Sequence, residues 1–90
     1  MSGGRRSVLR RIAKTLAHVR EARHGRDHHV FLPVIEESLD HMRKNIDASS
    51  ETRNRMAAAL GRIVTEDYAF SLSELGLELL RIADAFAEIK

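Results

Sequence analysis

The most constraining feature of this 90-residue chain is that its apolar residues recur at helical intervals in four separate stretches. Residues three and four apart share one face of an α-helix, so each stretch predicts a helix with one apolar side. The predicted helices span residues 5–24, 33–47, 51–65 and 72–90. Their apolar stripes are Val8, Leu9, Ile12, Leu16 and Val19; Ile35, Leu39, Met42 and Ile46; Met56, Leu60, Ile63 and Val64; and Leu72, Leu75, Leu79, Ile82 and Phe86.

Residues that start or stop helices separate these stretches. Gly25 is placed to end the first helix, and Pro33 to begin the second. Ser50 is predicted to cap the third helix, and Ser71 with Glu74 has the spacing of a capping box before the fourth. Short links between helices predict an all-α fold, an antiparallel bundle of four helices. Because so short a chain has one small core, a second copy could complete it.

Two further expectations concern organisation and packing. Residues 1–4 have no apolar anchor and are predicted to form a mobile tail, which leaves residues 5–90 as a single domain. On the third helix, residues 57–59 are alanines and residue 61 is a glycine. Such small side chains predict that another helix approaches closely at that point.

The composition excludes several classes of protein. Cysteine is absent, so the chain has no disulfide, thiolate metal site or thiol nucleophile, and a reducing cytoplasm is the expected location. The opening arginines resemble an export signal, but charged residues interrupt the segment that should be apolar. No apolar run approaches the length of a membrane-spanning helix, so no membrane is expected among its partners.

Charge is distributed unevenly along the chain. Residues 1–26 contain eight Lys or Arg and one acidic residue, a net charge of +7. Residues 27–90 contain seven Lys or Arg and twelve acidic residues, a net charge of −5. In helical projection, one side of the first helix carries a basic ridge within an arc of about 140°. This ridge predicts a site for an acidic partner or a polyanion, although a solvated surface explains it equally. Its members are Arg6, Arg10, Arg11, Lys14 and His18.

The fourth predicted helix has more apolar surface than one stripe requires. Leu77 and Leu80 lie beyond the stripe, and Tyr68 and Phe70 precede the helix. These four residues are candidates for the interface with a partner protein or with a second copy, unless the helix is central in the bundle.

Other kinds of site are less well supported by the residues. Glu37 and His41 are four apart on one helix face and could bind a metal together with a loop histidine, but the spacing matches no known metal motif, so no cofactor is predicted. Four arginines could hold a small anion only if the fold gathered them. The sequence contains no glycine-rich phosphate loop and no nucleophile with a fixed base, so an enzyme is not predicted. The four arginines are Arg10, Arg53, Arg55 and Arg81.

The sequence therefore favours a non-catalytic interaction or regulatory module that docks a partner protein through a basic first helix and an apolar fourth helix. A small dimeric protein that binds nucleic acid through the same ridge is the main alternative. A helix-turn-helix is disfavoured because the would-be recognition helix is acidic, and no aromatic residues accompany the basic ones. A metal or small-anion site in the bundle is a third possibility.

Overall fold

In the computed structural model, residues 4–23 and 30–89 are described, and all regular structure among them is helical. The expected all-α class is confirmed for this part of the chain. The described residues form five helices where four were predicted. These are α1 (Arg5–Arg23), α2 (Leu32–Lys44), α3 (Ser50–Thr65), α4 (Tyr68–Ser71) and α5 (Glu74–Ala87).

The long helices bury most of the stripes that their periodicity predicts, apart from Leu72, which is exposed, and Ile46, which follows α2. α3 and α5 share the most extensive contact of the fold, followed by α1 and α2. Smaller contacts join α1 to α5 and α2 to α3, so each long helix has two long-helix neighbours. The shared core consists of Val8, Ile12, Leu16, Val19, Leu32, Ile35, Leu39, Met42, Ala57, Leu60, Val64, Leu79, Ile82, Ala83, Phe86 and Ile89.

Two of the predicted N-cap residues differ from those in the structure. The N-cap of α3 is Ser49, whose hydroxyl accepts a hydrogen bond from the Thr52 backbone N–H at 3.2 Å, so the prediction of Ser50 was wrong by one residue. The N-cap of α5 is Ser73, whose hydroxyl accepts from the Gly76 N–H at 3.0 Å. The predicted capping box of Ser71 and Glu74 was therefore wrong.

The physical reason is α4, a single helical turn within the segment predicted as a link. Asp67 caps this turn by accepting from the Phe70 N–H at 2.9 Å. The hydroxyl of Ser71 donates to the Tyr68 carbonyl at 2.7 Å and belongs to the end of α4. Because Ser71 ends one helix, the next cap falls to Ser73. The second predicted helix was also too long, since α2 ends at Lys44 and Asn45 caps its carbonyls.

A close approach does occur in the fold, but at a different glycine from the one predicted. A Cβ atom added to Gly61 would meet nothing within 4 Å, so the expected packing against α3 at that residue was wrong. A Cβ atom at Gly76 would lie 2.0 Å from the Phe70 carbonyl oxygen. The backbone of α4 therefore rests directly on α5 at Gly76.

Arg53, at the start of α3, is the main buried charged residue among those described, with an exposed fraction of 4%. Its guanidinium donates hydrogen bonds to the backbone carbonyls of Ala48, before α3, and Ile89, after α5. Its Nε atom is buried and has no hydrogen-bond partner among the described residues. The side chain thus ties the start of α3 to the end of α5, where a cation also complements the helix dipole.

Several predicted features lie outside the described residues: residues 1–3 of the tail, the end of the first helix at residues 24–25, and the loop histidines. Within the described ranges, no helix combines the length and apolar character that a bilayer crossing requires.

Candidate interaction surface on the first helix

α1 exposes every member of the predicted basic ridge. Its buried side faces α2 and α5, and contains Thr15 in addition to the apolar stripe. Arg6, Arg10, Arg11, Lys14 and His18 all lie on the exposed part of the helix. The structure therefore leaves these side chains accessible to a partner.

Some arginines of α1 are already neutralised by the chain's own carboxylates. The charged atoms in these pairs are 2.8 to 3.6 Å apart. The carboxylates belong to α2, to the loop that follows α2 and to α5. One member of the predicted ridge, Arg11, belongs to this group. The pairs are Arg5–Asp47 at 3.0 Å, Arg11–Glu78 at 3.6 Å, Arg20–Glu36 at 3.5 Å and Arg23–Glu36 at 2.8 Å.

Glu36 shows the effect of this neutralisation on a carboxylate. The hydrogen bond from Arg23, assisted by Arg20, holds the pKa of Glu36 below its usual value. A carboxylate with a lowered pKa remains charged at neutral and mildly acidic pH. The end of α1 therefore stays paired with α2 over that range, and Arg20 and Arg23 are occupied.

The rest of the ridge has no such compensation. Arg6, Arg10, Lys14 and His18 follow one another at four-residue intervals, and we call them the cationic ladder, in which Arg6, Arg10 and Lys14 provide the formal charge at pH 7. Successive rungs are neighbours on the helix surface, and the four extend along about 18 Å of α1. No carboxylate of the described residues lies within the 4.0 Å ion-pair limit of any rung.

Two members of the ladder, Lys14 and His18, border a groove between α1 and α5 that has a volume of about 550 Å³. Arg11, Lys14 and His18 form its α1 wall, whereas Glu74 and Glu78 form its α5 wall. The sequence shows that the predicted fourth helix is acidic, and the four-residue spacing of Glu74 and Glu78 places them on one face, but it does not show that this face lies opposite α1. The floor of the groove contains Thr15, Ala22 and Leu75.

A second groove of about 460 Å³ continues along the same two helices. Arg11 lines both grooves. The Glu78 carboxylate lies between two guanidinium groups, 3.6 Å from Nε of Arg11 and 3.7 Å from Nη1 of Arg81. These distances describe loose ion pairs that are open to solvent. The second groove is lined by Ser7, Val8 and Arg11 on α1 and by Arg81, Asp84, Ala85 and Glu88 on α5.

The predicted interface residues near α5 divide into two kinds. Tyr68 and Leu77 are exposed, by 79% and 39% of their surfaces. Phe70 and Leu80 are half-buried and pack against the core. Leu72, predicted as part of a buried stripe, is instead 57% exposed because it follows α4 and precedes the true start of α5. The segment around α4 is therefore the exposed apolar region near α5.

The other predicted ligand sets are not assembled in the described residues. Glu37 and His41 are exposed on α2, no group of three potential metal ligands occurs there, and the loop histidines lie outside the described residues. The four candidate anion-binding arginines have four different environments. Arg10 is exposed on α1, Arg53 is buried, Arg55 pairs with Glu51 at 2.9 Å, and Arg81 lies 3.7 Å from Glu78.

Comparison of the chain with protein-family models, curated proteins and solved structures finds no match. The function is therefore inferred from the residues alone.

Proposed function

We propose that this protein acts without catalysis as an interaction module, which binds a partner protein through the cationic ladder of α1. The observation that carries this proposal is the contrast within α1: Arg5, Arg11, Arg20 and Arg23 each have a carboxylate partner, whereas the ladder has none among the described residues. Within the described ranges, the ladder is therefore the part of α1 whose basic side chains have no carboxylate partner.

The ladder is unfavourable for the isolated protein, and this also supports a binding role. Like charges four residues apart destabilise a helix by about 0.2 to 0.5 kcal/mol per pair. Arg6 also lies in the first turn of α1, where the helix dipole disfavours a cation. Residues that break local rules without compensation are commonly found at functional sites.

The surroundings of the ladder favour a protein over a nucleic acid. Glu21 follows His18 by three residues on α1, and Glu74 and Glu78 stand across the groove. Carboxylates at these positions would repel a phosphate backbone that followed the ladder. A protein surface, which carries both signs of charge and apolar side chains, matches the ladder and the groove together.

The proposal includes a second contact region and an arrangement of the helices. Tyr68, Leu72 and Leu77 expose apolar surface around α4 and would add buried area on binding. The ion pair between Arg5 and Asp47 supports an antiparallel arrangement of α1 and α2, which the proposed bundle requires, because it joins the start of α1 to the segment after α2.

Photocrosslinking in cells that produce the protein tests this function. A photoreactive amino acid at Ala13, an exposed residue three positions after Arg10, should yield an adduct with a different protein. The adduct should disappear with Arg10→Glu. It should persist with Arg62→Glu, which makes the same charge change at an exposed arginine of α3.

Two results would overturn the proposal. An adduct that nuclease removes would show that the ladder binds nucleic acid. A protein adduct equally strong with Arg10→Glu and Arg62→Glu would show that the ladder does not recognise the partner.

A further inference from the structure

The groove between α1 and α5 has walls of opposite charge, which an ion pair joins only at Arg11 and Glu78 among the described residues. Lys14 lies on one wall and Glu74 on the other, and neither forms an ion pair with a described residue. A ligand of one charge would be attracted by one wall and repelled by the other. The occupant must therefore carry both charges, arranged in two parallel rows.

The same surface on a second copy has this arrangement. A rotation of 180° about an axis running along the groove keeps each residue at its level and exchanges the two walls. The α1 wall of one copy then lies over the α5 wall of the other. Because a two-fold interface is made twice, every complementary contact occurs in duplicate.

The levels of the charged residues agree with this rotation. Arg11 pairs with Glu78, and at 1.5 Å per residue Lys14 and Glu74 lie about 4.5 and 6 Å beyond that pair on antiparallel helices, so these two residues are at similar levels. In the rotated pair, Lys14 of each copy faces Glu74 of the other. Further along, the α5 wall of the groove that contains Ser7 and Arg11 carries two acids, Asp84 and Glu88, and one cation, Arg81, so the complementary charges are strongest around Lys14 and Glu74.

We propose that this groove is a dimer interface, which a second copy of the chain covers about a two-fold axis parallel to the groove. The dimer interface rests on the proposed function because Lys14 and His18 belong to the cationic ladder, and it identifies their partner as a second copy of the chain. Arg6 and Arg10, at the other end of the ladder, are not part of the groove lining and stay available to a different protein.

The expected affinity follows from the size of the surface. Two adjacent helices of this length present a face of about 500 Å², so two copies would bury roughly 1,000 Å² in total, near the lower limit for specific interfaces. The floor residues Thr15, Ala22 and Leu75 provide modest apolar area. The dimer should therefore be weak, and it should weaken further in high salt, which screens exposed charges.

A charge exchange between two chains tests the proposal with purified full-length protein. Lys14→Glu and Glu74→Lys each reverse one wall and break no ion pair of the described residues. Sedimentation velocity at about 50 mM salt should show a wild-type dimer whose dissociation constant rises about tenfold or more with either change. An equimolar mixture of the two variants should form a heterodimer, because both contacts are again between opposite charges.

A covalent measurement does not depend on the folding of those variants. The chain has no cysteine, so a Lys14→Cys chain mixed with a Glu74→Cys chain should form a disulfide between copies under mild oxidation. A mixture of Lys14→Cys with Arg62→Cys is the matched control and should remain uncrosslinked.

Three results would overturn the dimer interface: a wild-type monomer at every concentration, equal dimerisation with Lys14→Glu and the control Arg62→Glu, or a disulfide yield no higher than in the cysteine control. None of them would remove the proposed function. An adduct at Ala13 with a different protein that requires Arg10 would keep Arg6 and Arg10 as a binding surface.

Discussion

The two sides of α5 differ in how completely they are packed. Toward α3 and α4 the helix is closed: Gly76 touches the backbone at Phe70, and Arg53 joins Ile89 to the start of α3. Toward α1 the helix makes smaller contacts, and grooves lined with charged side chains run along the boundary between the two helices. Stability is therefore expected to depend on the closed side, whereas binding is expected on the open side. Four substitutions test this difference, from the largest expected effect to the smallest.

Gly76→Ala tests the closed side most severely. The new Cβ atom would lie 2.0 Å from the Phe70 carbonyl oxygen, so α4 must move away from α5. We expect a loss of about 3 kcal/mol in the free energy of unfolding, although helix propensity alone would favour alanine by about 1 kcal/mol. Urea denaturation measures the change. An unaltered midpoint would show that α4 does not rest on α5.

Arg53→Met tests the polar contact on the same side. The change keeps most of the side-chain volume but leaves the carbonyls of Ala48 and Ile89 without their buried donor. We expect a loss of about 2 kcal/mol by urea denaturation. Arg55→Met is the control, because Arg55 forms an exposed pair with Glu51 and should be almost neutral. Equal effects of the two changes would contradict the role of Arg53.

Gly61→Ala sharpens the comparison between glycines inside helices. A Cβ atom at this residue of α3 meets nothing within 4 Å, so only the helix propensity changes. The variant should gain about 0.5 to 1 kcal/mol of stability, which corresponds to an increase of several degrees in Tm. A destabilised variant, measured by thermal denaturation, would indicate a contact with α3 that the fold does not show.

Ala22→Leu adds three carbon atoms to the open side, where Ala22 lines the groove with Leu75. We expect stability to change by about 0.5 kcal/mol or less, because the groove has room for the larger side chain. A loss as large as that of Gly76→Ala would show that the α1 side of α5 is packed as tightly as the α3 side.

Periodicity predicted the helices well because their buried stripes are long enough to repeat. α1 begins at the predicted residue, Arg5, and α3 begins within one residue of its predicted start. The caps were less predictable because serines occur close together, as at Ser49 and Ser50. α4 was missed because a single turn contains no repeat to detect.

The site was predicted in part, since its formation depends on which helices become neighbours. The exposure of the basic ridge follows from its position opposite the apolar stripe of α1, and sequence reasoning found it. The pairing of Arg11 with Glu78 and the acidic wall of the groove require α5 to lie beside α1. The role of Gly76 similarly depends on where the Phe70 carbonyl lies, which local residue preferences do not specify.

The hydrogen bond from Arg53 to the Ile89 carbonyl joins residues that are 36 positions apart. During synthesis on the ribosome, this bond cannot form until Ile89 has left the exit tunnel. α1 and α2, which contact each other extensively and precede α3, emerge earlier and can begin to pack first. The best-packed pair of helices in the finished protein is thus completed last.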